Sequence, residues 1–392
     1  MKAKEQKRQL RIAMLGSRGI PARYGGSETA IEEIGRRLVE RGHEVVAYCR
    51  RHNSPFRARY YKGIERVVLP SLNTKNLDTP THTLLSTLHL LTRDRPDIVH
   101  FHGVGNALFL PLLRPSNAKS VVTIDGPDWQ RPKWGVVARR VLKLSARICV
   151  KQADALIIDN FSAQDYFERH FGTRGVYIPY GAYLESADGT GALDALGLEP
   201  RRYVIFVGRL IPDKGCHVLV DAWKRVKTDM KLVLVGDNPY FSGYIRRLKA
   251  RADGRVLFPG YVFGEPYRQL VSNAYLYAHP LFVDGTSPSL LQAMGFGNCI
   301  VLSDIREAMD VAGDVGYSFR TGDPADLARV LQQLIDDPAL VAEARERSRR
   351  KVRDFYNWDR IADQHEALYR QVLGLRQPEK ERVPETVEQE AA

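Results

Sequence analysis

The sequence of 392 residues contains few cysteines, and none of them lies close to another. The four are Cys49, Cys149, Cys216 and Cys299. This spacing argues against a zinc site built from cysteine pairs and against a disulfide framework, and it suits a reducing compartment. We predict neither a metal site nor a bound cofactor.

The chain also has no long hydrophobic run. Its first residues, MKAKEQKRQLR, are charged and lead directly into a short apolar segment, so we expect neither a signal peptide nor a transmembrane span. Hydrophobic residues make up 44% of the chain and charged residues 27%, which is typical of a soluble globular protein. The length suits two domains, and a cytoplasmic location is expected.

Acidic residues are scarce only in the first half of the chain. Residues 1–181 contain 30 Lys and Arg against 16 Asp and Glu, a net charge of +14, whereas the remainder carries −2. This asymmetry indicates an anionic partner such as a membrane surface or a lipid phosphate. Solubility alone is the alternative explanation. No nucleic-acid-binding motif accompanies the charge, so a nucleic-acid partner is not expected.

Apolar strands and amphipathic helices alternate along the chain. Residues 11–16 form an apolar strand, and the apolar positions of the next helix recur at helical spacing before a second strand that ends at Arg50. Such a βαβ unit predicts a parallel sheet. The first turn lacks GxGxxG and Arg50 is not an acid, so this unit is not a dinucleotide-binding fingerprint.

The alternation restarts near residue 203 and divides the chain into two α/β halves. We predict two Rossmann-like domains whose parallel sheets face a central cleft, with ligands at the carboxyl ends of the strands. A helix at 357–374 is expected to pack back toward the first domain, before a disordered tail. The predicted boundaries are 1–181 for the first domain, 182–200 for the linker, 201–356 for the second domain and 375–392 for the tail.

The stretch VDGTSPSLLQAMGFG, residues 283–297, has the features of an anion site. A polar turn precedes Pro288, and apolar residues follow at helical spacing, which is typical of a helix start. The first amides of a helix lack intrahelical partners, and the helix dipole favours negative charge. An anion is therefore predicted at this helix start, beside the amides near Ser289 and Leu290.

Two further segments place candidate ligands near the predicted cleft. Gly25 and Gly26 precede the first helix, where the missing side chains let backbone amides approach a phosphate; the alternative is that they only close a loop. His102 ends a strand, at the ligand edge of the sheet, and the alternation of the strand puts it on the same side as His100.

The loop with the sequence DGPDWQRPKWG combines aromatic and charged residues. Asp125, Trp129 and Arg131 would suit an acceptor pocket, because sugar rings stack on aromatic faces and carboxylates accept hydrogen bonds from hydroxyl groups. A loop anchored by a buried tryptophan is the alternative.

The helix that follows this loop has a basic face. Basic residues recur every four positions and so lie on one side of the helix: Arg139, Lys143, Arg147 and Lys151. The face is either simply solvated or in contact with an anionic membrane surface.

Four motifs in order, GSRGIPARYGGSETAIEEIGRRLVERGHEV, DIVHFHGVG, VGRLIPDKG and GTSPSLLQAMGFGN, resemble the family-four retaining glycosyltransferases of the GT-B fold. The first motif, together with KNLDTPTHTLLS and DGPDWQRPKW, is similar more narrowly to the bacterial branch that includes rhamnosyltransferases of surface-polysaccharide assembly. The resemblance extends over about residues 11–374.

This resemblance implies transfer of a sugar from a nucleoside diphosphate sugar to a saccharide or lipid-linked acceptor. Arg209 and Lys214 match the diphosphate-binding pair of the family, for which a surface pair is the alternative, and His102 matches the histidine that contacts the donor sugar. The catalytic residues implied are Arg209, Lys214, His102 and Asp284. The donor-binding residues implied are Gly25, Gly26, Arg209, Lys214, Thr286, Ser287, Ser289, Leu290 and Gln292.

The sequence departs from the family pattern at Gln292. Relatives commonly carry two glutamates where this chain has Asp284 and Gln292, although glycine is usual at the first position in the narrower branch. The second glutamate accepts hydrogen bonds from the ribose hydroxyls, and Gln292 offers a single amide oxygen for that task. The alternative function is therefore a nucleotide-sugar-binding assembly partner without turnover. With either function, the protein is expected in the cytoplasm, attached peripherally to the inner face of the membrane.

Overall fold

The computed structural model describes most of the chain. The described residues are 8–22, 25–74, 76–93, 95–131, 134–187, 189–283 and 286–376. Asp284 and the tail from residue 377 onward lie outside them.

The first domain is built around an eight-stranded sheet. Its strands are β1 (Arg11–Leu15), β2 (Glu44–Arg50), β3 (Tyr60–Tyr61), β4 (Ile64–Leu69), β5 (Ile98–His102), β6 (Lys119–Ile124), β7 (Ala155–Ile158) and β8 (Val176–Tyr177). The spatial order is β3-β4-β2-β1-β5-β6-β7-β8, and all neighbours are parallel except β3 and β4. The helices of this domain are α1 (Gly26–Glu40), α2 (Asp78–Arg93), α3 (Val136–Gln152) and α4 (Phe161–Phe171).

The second domain contains a six-stranded parallel sheet. Its strands are β9 (Tyr203–Val207), β10 (Lys231–Val235), β11 (Val256–Gly260), β12 (Leu276–His279), β13 (Cys299–Ser303) and β14 (Tyr317–Phe319), in the order β11-β10-β9-β12-β13-β14. The remaining helices are α5 (Gly191–Asp194), α6 (Cys216–Trp223), α7 (Ser242–Arg251), α8 (Gly264–Ser272), α9 (Pro288–Gly295), α10 (Arg306–Ala312), α11 (Pro324–Asp336), α12 (Pro338–Lys351) and α13 (Trp358–Val372).

Each sheet has a hydrophobic core on both of its faces. In the first domain, alternate residues of β1 face opposite cores: Ile12 packs with the α1 side, and Ala13 with the other side. In the second domain, neighbouring residues of β9 divide between two cores in the same way. Strands that are buried on both faces explain the nearly continuous apolar runs in the sequence. The predicted fold class, two parallel-sheet α/β domains, is confirmed.

The last helix of the chain returns to the first domain. Nε of Arg37 in α1 lies 2.7 Å from Oδ1 of Asp359 in α13, and the Tyr369 hydroxyl lies 2.7 Å from Nδ1 of His100. The linker contains the short helix α5. At the start of the linker, the amide of Ala182 donates a hydrogen bond to the carbonyl of Tyr356 at 2.7 Å. Among the described helices, none has a segment both long enough and apolar enough to cross a membrane.

Candidate active site

The start of α9 lies where the two domains meet. The helix begins at Pro288, as the sequence predicts, because proline fixes the backbone angle of the first turn and needs no amide partner there. A Cβ atom added to Gly26 of the first domain would lie only 2.8 Å from Cγ of Pro288. The Thr286 hydroxyl donates to the carbonyl of Asp159, also in the first domain, at 2.5 Å. The cleft is therefore closed around this helix start.

Gly25 is required by the shape of its loop. Its φ is +136°, a conformation that residues with a side chain rarely adopt, and a Cβ there would lie 2.1 Å from Oε2 of Glu28. The same Glu28 side chain accepts a hydrogen bond from the amide of Arg18 at 3.0 Å. Gly25 thus allows the sharp backbone turn at the start of α1, and Gly26 lets α1 approach α9 closely.

The segment that carries Lys214 is attached to the chain leading into α9. The amide of Phe282 donates to the carbonyl of Asp213 at 3.0 Å, and Gly215 packs against the carbonyl of Pro280. Strands β9 and β12 are neighbours in the sheet, so Arg209, after β9, emerges on the same edge as this segment. Arg209 is exposed and has no hydrogen-bond or ion-pair partner among the residues that the structure describes.

The first residues of α9 differ in exposure. Ser287 is buried and Ser289 is half-buried, with their hydroxyl oxygens 3.1 Å apart, and the side chain of Leu290 is fully buried in the second-domain core. Only the backbone amide of Leu290 is thus available for the predicted role at the helix start.

His102 is buried and neutral beside a small cavity. Its ring stacks on that of His100 with a centroid distance of 4.1 Å, which confirms that the two side chains point to the same side of β5. Burial, followed by the nearby His365, lowers the pKa of His102 to about 3. Within the part of the chain that the structure describes, the buried Nε2 of His102 has no hydrogen-bond partner. By contrast, both ring nitrogens of His100 are occupied, by the hydroxyls of Tyr369 and Thr123, each at 2.7 Å.

Asp125 belongs to a polar cluster that the sequence reveals only in part. The hydroxyl of Tyr180 donates to Oδ1 of Asp125 at 3.1 Å. The side-chain amide of Asn160 donates to the Asp125 carbonyl at 3.0 Å and to Oδ1 of Asp159 at 2.7 Å. Asp159 and Tyr180 line the same cavity as His102. We did not predict Asp159 or Tyr180, although each follows the end of an apolar strand, the position at which ligand residues occur in such sheets.

Burial changes the protonation of both carboxyl groups. It raises the pKa of Asp125 to about 6, with a further contribution from Asp128. Burial and then the neighbouring Asp125 hold the pKa of Asp159 well above its usual range. Both carboxyl groups therefore hold their protons to higher pH than an exposed aspartate does.

Trp129 and Arg131 do not accompany Asp125 in one pocket. Trp129 is 3% exposed and packs against the rings of Tyr166, Phe167 and Phe171, which supports the alternative of a loop anchored by a buried tryptophan. Arg131 is exposed and forms an ion pair with Asp128 at 2.9 Å. Of the three predicted acceptor residues, only Asp125 lies beside the cavity residues.

Gln292 connects α9 to the linker. Its Oε1 accepts a hydrogen bond from the amide of Tyr183 at 3.3 Å, and its buried Nε2 has no hydrogen-bond partner among the residues that the structure covers. The only oxygen of this side chain is thus already engaged by the backbone.

Known protein families match each domain separately. Residues 24–185 match the model described as Glycosyltransferase Family 4, and residues 201–337 match Glycosyl transferases group 1. Among curated relatives, N-acetyl-alpha-D-glucosaminyl L-malate synthase of Bacillus anthracis is 25% identical over 373 residues, which cover 89% of this chain and 94% of that protein.

Solved structures share the fold over almost the whole length. Sucrose-phosphate synthase from Thermosynechococcus elongatus has a TM-score of 0.79 at 20% identity and covers 94% of this chain and 100% of its own. Anabaena HepE in complex with UDP and glucose has a TM-score of 0.75 at 17% identity, and the match covers 92% of this chain and 99% of HepE. Because the two family models together span both domains and the structures reproduce their arrangement, the chain belongs to the group 1 and family 4 glycosyltransferases and is a hexosyltransferase of the GT-B fold.

Proposed function

We propose that this protein transfers rhamnose or another hexose from a nucleoside diphosphate sugar to a saccharide or lipid-linked acceptor, with retention of anomeric configuration. The observation that carries the proposal is the convergence of three segments at the start of α9: the Gly25–Gly26 turn, the segment with Lys214, and Asp159. The narrower resemblance to rhamnosyltransferases of surface-polysaccharide assembly supports the sugar and the acceptor class.

The residues at this convergence have the chemistry that a departing nucleoside diphosphate requires. Negative charge develops on the β-phosphate as the bond to the sugar breaks. Arg209 and Lys214 stabilise that charge as cations, and the unpaired amides at the start of α9 stabilise it as hydrogen-bond donors. His102, which is neutral, exchanges a hydrogen bond with a sugar hydroxyl and contributes no positive charge. UDP, present in the HepE structure, is a reasonable first nucleotide to test.

Calorimetry with a panel of nucleotide sugars, combined with a turnover assay on the same sample, tests this function. We expect one nucleotide sugar to bind best and to be consumed when a saccharide acceptor is present. Absence of binding by every member of the panel would contradict the proposal. Binding without turnover over a broad acceptor panel would instead favour the assembly partner, for which the engaged oxygen of Gln292 is the supporting observation.

Gln292 itself provides a sharper test of how the nucleotide is held. Gln292→Glu keeps an acceptor for the Tyr183 amide and replaces the unpartnered Nε2 with a second oxygen. Hydrogen bonds to a charged acceptor are stronger by roughly 1 kcal/mol, so calorimetry should show about fivefold tighter binding of the nucleotide sugar. Gln292→Leu, which lacks both polar atoms, should bind more weakly than the parent. Identical affinities in all three proteins would exclude a contact between residue 292 and the ribose.

The surface of α3 supports a second part of the proposal, attachment to an anionic membrane. Arg139, Lys143 and Arg147 are all exposed. Val136 and Val137, at the start of the same helix, are 66% and 75% exposed, an unusual position for apolar residues. A helix with exposed apolar and basic side chains suits the interface between lipid headgroups and acyl chains.

We expect the triple variant Arg139→Gln, Lys143→Gln, Arg147→Gln to bind vesicles of phosphatidylglycerol and phosphatidylcholine on the order of 100-fold more weakly at low salt, since each basic residue contributes about 1 kcal/mol. Co-sedimentation measures this binding, and added salt should weaken binding of the parent protein. The control is Arg246→Gln, Arg247→Gln, Lys249→Gln on α7, which removes the same charge from the second domain. Equal losses in the two variants would show that net charge, and not α3, determines the attachment.

A further inference from the structure

Asp125 and Asp159 lie side by side at the carboxyl edge of the first sheet. Strands β6 and β7 pair in parallel with Ile124 opposite Ile158, so the residues that follow them, Asp125 and Asp159, emerge next to each other. The register explains why two carboxyl groups 34 positions apart in the sequence meet. The diphosphate chemistry described above uses neither carboxyl group.

Two neutral side chains, those of Tyr180 and Asn160, donate three hydrogen bonds around this pair. Tyr180 donates to Asp125, and Asn160 donates to Asp159 and to the backbone of Asp125. Asp159 is 3% exposed, whereas Asp125 remains partly accessible. A carboxyl pair held by neutral donors at the edge of a ligand cleft is costly to bury, which is typical of functional sites.

An independent observation indicates a ligand at the same place. Nε2 of His102 is buried and has no hydrogen-bond partner among the described residues, and His102 shares its cavity with Asp159 and Tyr180. A buried polar atom without a partner is rare in folded proteins. A ligand hydroxyl in the cavity would satisfy it.

The charged groups around Asp125 would disfavour a second anion. Four charged residues surround Asp125: Glu28 in α1, Asp128 and Arg131 in the loop after β6, and Asp159 at the end of β7. Arg131 is the only cation among these four, and it is exposed and paired with Asp128. Tyr180, which faces Asp125 from the segment after β8, is neutral at physiological pH because burial holds its pKa well above the usual range.

We propose that Asp125, Asp159 and His102 form a subsite that binds the hydroxyl groups of an uncharged sugar ring and excludes sugars that carry a carboxylate. The inference rests on the proposed function and adds a substrate class to it. A carboxyl group donates a hydrogen bond while it holds its proton and accepts one when it does not, so two adjacent carboxyl groups can make both kinds of contact with vicinal hydroxyl groups. A sugar carboxylate would place another negative charge against Asp125 in a poorly solvated site.

The test compares glucose and glucuronate on the same nucleoside diphosphate, with the base that binds best in the panel. Like charges repel in such a poorly solvated site, so calorimetry should show the glucuronate binding about 30- to 100-fold more weakly. In Asp125→Asn, which keeps an oxygen for the Tyr180 hydroxyl, the difference should fall below about threefold. A second arm measures methyl glucoside and methyl glucuronide in the presence of the nucleoside diphosphate alone.

The two arms separate the possible sources of the sugar ring. Discrimination in the nucleotide-sugar arm assigns the subsite to the donor sugar, and discrimination only in the methyl glycoside arm assigns it to the acceptor. The inference is overturned if the parent protein binds the glucose and glucuronate ligands equally well in both arms. It is also overturned if Asp125→Asn prefers the glucose ligand as strongly as the parent does. A panel in which no nucleotide sugar binds overturns the proposed function instead, and this inference with it.

The pH dependence of Tm distinguishes a carboxyl pair that binds a ligand from one that stabilises the fold. Because the pKa of Asp125 is raised from 3.8 to about 6, the contribution of this group to stability is complete below pH 3.8 and is lost as the pH rises through 6. Asp125→Asn should therefore have a higher Tm than the parent at pH 7 and a similar Tm at pH 4. A pair kept for structure would give the opposite result, a lower Tm at pH 7.

Asp154 provides a matched control at the opposite edge of the same strands. Its carboxyl group binds Lys119 and Ser120, and despite partial burial these contacts lower its pKa. A lowered pKa contributes stability above the unfolded value, so Asp154→Asn should have a lower Tm than the parent at pH 7. Its discrimination between the glucose and glucuronate ligands should equal that of the parent.

Discussion

Replacing Arg209 with alanine is expected to lower the rate of sugar transfer by about 10²- to 10³-fold, equivalent to ~3–4 kcal/mol of transition-state stabilisation. The side chain is exposed at the carboxyl end of β9, where it is available to a ligand diphosphate. Negative charge on that diphosphate is greatest as it departs, so kcat should fall more than KM rises. Steady-state kinetics with the nucleotide sugar selected by calorimetry measures both constants.

Lys214→Ala should have an effect of similar size, and the double variant should lose less than the product of the two single losses, because both cations act on one diphosphate. Arg246→Ala is the matched control, since it removes an exposed arginine from α7 of the same domain. If both Arg209→Ala and Lys214→Ala retain parental turnover, the reaction occurs elsewhere in the molecule.

Local patterns in the sequence were sufficient to predict the fold. The apolar strands β1 and β9 begin at the predicted residues, and α9 begins at Pro288, because strand burial and helix initiation are both encoded within a few neighbouring positions. The segment Val104–Leu113 was not predicted. It continues as a 3₁₀ helix after β5, and its apolar residues pack against α3, a partner that no local pattern identifies.

The composition of the candidate site depends on pairing between distant segments. Asp159 joins Asp125 because β6 and β7 have a particular register, and Thr286 reaches Asp159 across 127 positions of sequence. A single sequence does not specify register or domain closure. Trp129 was predicted to bind a sugar, but it has a structural role. An aromatic residue in a charged loop can either stack on a sugar ring or anchor the loop in the core. The packing of Trp129 against Phe167 and the neighbouring rings shows that it anchors the loop.

Gly215 is the residue whose replacement should destabilise the protein most clearly. It has φ +66°, and a Cβ atom there would lie 1.7 Å from the carbonyl oxygen of Pro280, a backbone atom that cannot rotate away. Gly215→Ala therefore combines left-handed backbone strain, about 1–2 kcal/mol, with overpacking of about 1–3 kcal/mol. Urea denaturation should show the free energy of unfolding lowered by about 2–5 kcal/mol.

Gly172 separates these two contributions. Its φ of +63° is nearly that of Gly215, but a Cβ there would meet nothing within 4 Å. Gly172→Ala should thus cost the strain alone, about 1–2 kcal/mol, and leave nucleotide affinity unchanged. Gly215→Ala should also weaken nucleotide binding, because the contact with Pro280 fixes the segment that carries Lys214 beside the approach to α9. Equal losses of stability in the two variants would mean that backbone strain, and not the approach to Pro280, makes glycine necessary at position 215.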